Sequence, residues 1–154
     1  MKKLIILIFV IGYTSIAIAQ EKTIPDKQTN TIYLKTKSDA QTNFKAFGNL
    51  ILDNGLLIEK ADAEFMSLVS SPKSLAAHPK WTHTWNLNVR FSDNNIIIQP
   101  FWSANVEITF GDVKSVNQAI RWNFSKSNSD VRHLIYDEIL SIVSKYPSAE
   151  ISYN

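Results

Sequence analysis

The chain has 154 residues, no cysteine, and 16 basic against 14 acidic side chains, a formal charge of +2. Lys2 and Lys3 supply that whole excess. Without them the chain is neutral and lacks the basic footprint from which nucleic-acid and anionic-lipid binders draw their general affinity. The missing cysteine excludes disulfides, a thiolate nucleophile and a lipid-anchoring cysteine, so stability must come from burial within what reads as a single domain.

Met1 to Ala19 has the parts of an export signal: Lys2 and Lys3, an apolar run from Leu4 to Ile11, and the small-residue site Ala17, Ile18, Ala19 before Gln20. The run is too short for an anchor, so the expectation is cleavage, no membrane span afterwards, and a periplasmic or extracellular address without lipidation. Gln20 to Asn30 is polar, contains Pro25 and shows no period, which predicts a flexible lead-in. The predicted folded domain covers 31–154.

Thr31 to Lys37 alternates and predicts a first strand. Ser38 and Gln41 have capping-box spacing, and Phe44, Phe47, Leu50 and Ile51 recur at helical steps before Asn54 and Gly55, so a helix is expected with Ser38 as its cap. Gly48 within it suggests a close neighbour. Leu56 to Asp62 and Glu64 to Ser70 read as two antiparallel strands, and Ser71 with Pro72 before KSLAAH reads as the start of one or two helical turns.

The most regular stretch follows. Trp85, Leu87, Val89 and Phe91 alternate with Thr84, Asn86, Asn88 and Arg90; after the turn residues Ser92 to Asn95, the even positions Ile96, Ile98, Trp102, Ala104, Val106, Ile108 and Phe110 carry the apolar set. That pattern predicts a long antiparallel hairpin, with Pro100 marking a bulge or an edge. Gly111 to Asn128 fits either a strand or a helix, with the better match a strand from about Ala119 to Phe124. Val131, Leu134, Ile135, Ile139, Ile142, Val143 and Tyr146 form a helical stripe, capped by Ser129 or Asp130 and stopped by Pro147. Ser148 to Asn154 is left as a tail or a short edge strand.

Two amphipathic helices and one antiparallel sheet in the order β-α-β-β-β-β-α predict an α+β two-layer sandwich, with both helices on the face of Trp85, Leu87, Val89 and Phe91. That order, the leader ending before Gln20, and the hairpin NLNVRFSDNNIIIQP resemble secreted bacterial domains of unknown function with a TATA-box-binding-protein-like (TBP-like) fold. The resemblance spans roughly Thr31 to Tyr146. It implies a fold and an envelope address, and no catalytic residues.

Motifs for chemistry are sparse. His78 and His83 flank Pro79 without the carboxylate or cysteine that would complete a metal shell, so neither a metal nor a cofactor is expected. His133 falls on the polar flank of the last helix, and no strand-turn-helix serine elbow accompanies it. Asp137, Glu138, Glu59, Asp62 and Glu64 read as solvated charge, and Gly111 stands without a glycine-rich phosphate cradle. Of the four tryptophans, Trp85 and Trp102 fit a core, whereas Trp81 and Trp122 fit core or surface equally.

The remaining surface is the sheet face opposite the helices. It should present Asn86, Asn88, Arg90, Ile97, Gln99, Phe101, Asn105 and Glu107. The reading is therefore a non-catalytic exported module that binds an envelope protein, a peptide, a glycan or a second copy of itself, a homodimer, through Trp81, Asn86, Asn88, Arg90, Gln99 and Phe101. A small envelope hydrolase using His83 or His133 is the alternative. Nucleic acid, despite the saddle-like sheet that the resemblance implies, is disfavoured by neutral charge.

Overall fold

The computed structural model describes residues 25–78, 81–105, 119–147 and 149–154, with the side chains of 76–78, 81, 82 and 105 outside that description. The signal-like segment and positions 106–118, including Val106, Glu107, Ile108, Phe110 and Gly111, therefore lie outside the described residues.

The elements are β1 (Ile32–Lys35), α1 (Ala40–Asp53), β2 (Ile58–Asp62), β3 (Ser67–Ser70), β4 (Lys73–His78), β5 (Trp81–Ser92), β6 (Asn95–Asn105), β7 (Ile120–Arg121), α2 (Val131–Val143) and β8 (Glu150–Tyr153). The described strands form one antiparallel sheet with the path β2-β3-β5-β6-β1-β8; β4 pairs with β5 beyond β3, and β7 pairs with β6 beyond β1. The predicted α+β two-layer class is what the chain adopts.

The β5-β6 hairpin is the spine. Its register runs without interruption from Ser92↔Asn95 to Thr82↔Asn105. Asn94 takes φ 63 at the two-residue turn, a left-handed conformation that asparagine tolerates better than most residues. Odd residues of β5 and even residues of β6 point one way, where Trp85, Leu87, Val89, Ile96 and Ile98 are almost fully buried. α1 packs there through Phe44 and Phe47, whose rings meet Phe91 edge-on at 5.3 and 5.9 Å. α2 contributes Ile135, Ile139, Ile142 and Val143 to the same core. Both helices thus roof one face, as the stripe of α2 and the alternation of β5 predicted.

Buried Asn43 joins the parts. Its Oδ1 accepts from Tyr146 Oη at 2.9 Å and from Thr36 Oγ1 at 3.0 Å, and its Nδ2 donates to the carbonyls of Ser38 and Ser92 at 3.1 and 3.2 Å. All four of its hydrogen-bonding positions are filled, which is what permits an amide at 0% exposure.

Two local expectations are corrected and one is narrowed. The cap of α1 is Asp39, whose carboxylate accepts from Thr42 N at 2.8 Å, while the Ser38 carbonyl accepts from Asn43 Nδ2 and Asn94 N. Residues 73–78 form β4 instead of a helical turn, since pairing with β5 at Lys73↔Trp85, Ser74↔Thr84 and Leu75↔His83 outweighs the local Ser-Pro signal. Of the two roles expected of Pro100, a bulge or an edge, the edge is the one it takes. Its carbonyl accepts from Trp122 N at 3.0 Å, so its nitrogen faces the same side, where β1 has ended and β7 has not begun, and no bond to β5 is lost. The strand expected from about Ala119 to Phe124 is limited to Ile120–Arg121, and Trp122 beyond it turns into the core at 0% exposure. Ser148 to Asn154 resolves in favour of a strand: β8 pairs with β1 from Ile32↔Tyr153 to Lys35↔Glu150.

The end of the lead-in is fastened. Asn30 N and Thr31 N both donate to Asn154 O, and Phe124 N donates to Thr29 O.

Candidate functional site

Residues directly opposed in an antiparallel ladder share a face. The registers therefore lay out the face away from the helices as cross-strand rows. One row reads Asp62, Ser67, Arg90, Ile97, Tyr33, Ser152. The next reads Lys60, Val69, Asn88, Gln99, and the one beyond it Asn86, Phe101, Arg121. A last row places Ser74, Thr84 and Ser103 together, with the two hydroxyls of Thr84 and Ser103 at 2.7 Å.

Five of the six residues singled out from the sequence, Asn86, Asn88, Arg90, Gln99 and Phe101, thus occupy adjacent positions on one face. The side chain of Trp81 lies outside the described residues, as do those of Asn105 and Glu107. Among the described residues no helix covers this face. Arg90 is exposed, while the amides, Ile97, Phe101 and Tyr33 are half-buried by their neighbours in the sheet.

The face is not uniform. Along the free side of β6 the ladder passes from β1 to β7, and a recess of about 410 Å³ opens at that junction, lined by Asp26, Gln28, Asn30, Thr31, Tyr33, Gln99, Arg121 and Asn154. Of these, the sequence reading had singled out Gln99 alone. Arg121 went unnoticed because its segment carried no clear period. Only pairing with β6 fixes its position opposite Phe101. Arg121 is exposed and donates from Nη2 to Thr31 Oγ1 at 3.3 Å; it makes no ion pair among the described residues.

A second recess, about 450 Å³, lies at the start of α2 between Lys27, residues 123–127 and Arg132. Its arginine is already engaged: Arg132 Nη2 sits 2.6 Å from Asp130 Oδ2, its Nε donates to Asp130 Oδ1 at 3.0 Å, and Nη1 donates to Asn123 at 3.2 Å. Those bonds hold the Asp130 carboxyl far below the usual carboxylate range and raise the arginine.

The other candidate groups do not converge on a reacting atom. His133 Nδ1 is hydrogen-bonded to the Ser125 carbonyl at 2.7 Å and Nε2 faces Asp137 at 3.7 Å, beyond hydrogen-bonding distance, and no serine hydroxyl bonds either nitrogen among the described residues. Its side chain is packed against Phe124 and Tyr136, deeper than the surface position expected. The His83 ring lies 5.9 Å from Trp102. Glu138 pairs with Lys73 at 3.1 Å, and Asp62 accepts from the backbone of Glu64 and Phe65 to shape the β2-β3 turn. No group of three potential metal ligands occurs among the described residues. No helix among them is long and apolar enough to cross a membrane. Burial, aided by a hydrogen bond with the neighbouring Tyr153 hydroxyl at 2.9 Å, raises the Tyr136 phenol well above its ordinary value, a property of the core and not of a site.

No protein-family model and no curated protein matches the chain. Among solved structures, the crystal structure of a TBP-like protein from Parabacteroides distasonis ATCC 8503 is similar, with 13% identity over 81% of this chain and 88% of that one and a TM-score of 0.41.

Proposed function

We propose that this protein is an exported, non-catalytic binding module that holds an extended polar ligand, a glycan or a peptide, across the open sheet face. The supporting observation is the set of cross-strand rows with no helix over them among the described residues, in which amides, two arginines and the rings of Tyr33 and Phe101 stand in register. Amides and guanidinium groups donate to hydroxyls and carbonyls, while flat rings supply apolar contact at little entropic cost. The export part of the proposal is supported by the pattern of Met1 to Ala19, which fits a periplasmic or extracellular address, and by the absence of a cysteine to lipidate. Formal neutrality of the remaining chain weighs against nucleic acid. A hydrolase built on His133 gains no support from a ring whose Nδ1 is bonded to a backbone carbonyl and whose nitrogens meet no serine hydroxyl among the described residues.

The test is retention on an array of bacterial-envelope glycans and peptides, with Phe101→Asp and the more exposed Arg90→Glu beside the wild-type protein. Loss of a retained ligand in both variants, with thermal melts unchanged, is the expected outcome. Retention that survives both, or a wild-type protein that retains nothing, overturns the reading; a sedimentation velocity run in which the wild type alone dimerises would instead assign the face to a second copy.

A further inference from the structure

We propose that the recess at the β1-β7 junction is a subsite for a carboxylate-bearing sugar unit, an inference that rests on the sheet-face reading and names its ligand more closely. Position comes first. Gln99 and Tyr33 belong to the open face, so a ligand lying along the rows runs directly into the recess. Its volume, about 410 Å³, falls within the range of small-molecule sites, roughly 300 to 1,000 Å³.

The lining then selects the chemistry. Gln28, Gln99 and Asn154 each carry a donor and an acceptor on one planar group, the arrangement that matches neighbouring hydroxyls on a sugar ring, while the Asn30 amide is engaged by the Gln28 carbonyl and the Thr31 hydroxyl. Among the described residues no aliphatic side chain lines the recess, which disfavours an apolar guest, and Tyr33 offers an aromatic ring.

Charge decides the rest. Asp26 turns its Oδ1 to its own loop, accepting from Gln28 N, Thr29 N and the Thr29 hydroxyl at 3.0, 3.1 and 3.3 Å. Arg121 by contrast spends one donor on a neutral hydroxyl and keeps the others for a guest. An exposed guanidinium with no carboxylate partner among the described residues, beside a set of amides, fits a planar carboxylate in two-pronged fashion. A neutral sugar would leave that charge unused.

The experiment titrates the purified protein with tetragalacturonate, maltotetraose and tetraglutamate by isothermal calorimetry. The expected order is tetragalacturonate bound about tenfold or more tightly than either of the others, a difference of roughly 1.4 kcal/mol. Arg121→Gln removes the preference for the acidic sugar, and Arg121→Lys, which keeps charge without the fork, retains only part of it. Equal binding of the acidic and neutral sugars by the wild type, a preference that persists in Arg121→Gln, tetraglutamate bound as tightly as tetragalacturonate, or no binding of any of the three overturns the subsite. The two readings fail separately: Phe101→Asp and Arg90→Glu losing array ligands while Arg121→Gln changes nothing removes the subsite alone, and the reverse pattern removes the extended face and leaves the recess.

Discussion

Gly48 sits in the buried middle of α1, where glycine costs about 1 kcal/mol relative to alanine. Its sequence position suggested the close approach of a neighbouring element, and β2 and β3 are that neighbour. A Cβ built there would lie 3.8 Å from Ile58 Cδ1 and 3.8 Å from Leu68 Cδ1, ordinary contact distances. Gly48→Ala should therefore stabilise the protein by about 0.5 to 1 kcal/mol in a urea melt; a loss of stability would mean that α1 cannot give even slightly against β2 and β3. Asn43, one turn earlier, was legible only as an odd member of the stripe that Phe47 and Ile51 continue. Its partners Thr36, Ser92 and Tyr146 are far apart in sequence, and no local pattern announces a four-bond node of that kind. Trp122 is similar: its burial depends on Nε1 donating to the Arg132 carbonyl at 2.8 Å, a bond between a segment without period and the start of α2.

The elements most open to reading were those in which local preference and burial agree. β5 and α2 are such cases. The latter begins at Asp130, whose Oδ1 accepts from Arg132 N at 2.9 Å, as a cap should. The same carboxylate is held far below its ordinary range by the Arg132 guanidinium. With the folded value depressed, the unfolded chain binds the proton more readily, so the stability it contributes is fully present above about pH 5 and is lost as the pH falls. Asp130→Asn keeps the capping oxygen and discards the charge, so its melting temperature should fall less steeply than that of the wild type between pH 5 and pH 2. Asp130→Ala should in addition lose about 1 kcal/mol at pH 7. Parallel melting profiles for wild type and Asp130→Asn would remove the ion pair from the acid response. β4 was illegible for the opposite reason. Serine followed by proline and a run of leucine and alanines is a sound helix start, and only the unoccupied flank of β5 beyond β3 makes a strand the better solution. Pro100 looked disruptive because a sequence does not show that β6 has a stretch of one side where no partner needs a donor.

Across the whole molecule, the candidate surface was half visible beforehand. Alternation in β5 and β6 settles which side chains share a face, and counting two helices says that only one face is roofed. The recess was hidden, because it is made where segments from both ends of the chain, 26–33 and Asn154, meet Gln99 and Arg121 from its middle and later parts. The binding variants Phe101→Asp, Arg90→Glu and Arg121→Gln probe these two levels apart.

β1 comes from the start of the fold, yet its neighbours are β6 from the centre and β8 from residues 150–153. The Asn43 node likewise waits for Tyr146. Closing such distant pairings requires ordering long loops first, and the entropy involved is recovered only when the final strand docks. The strand order thus postpones closure of the sheet until the last strand is available. A chain cut after Tyr136 should accordingly be digested by protease as fast as the urea-unfolded protein; persistent protection of residues 32–105 in that fragment would show that the sheet can close early.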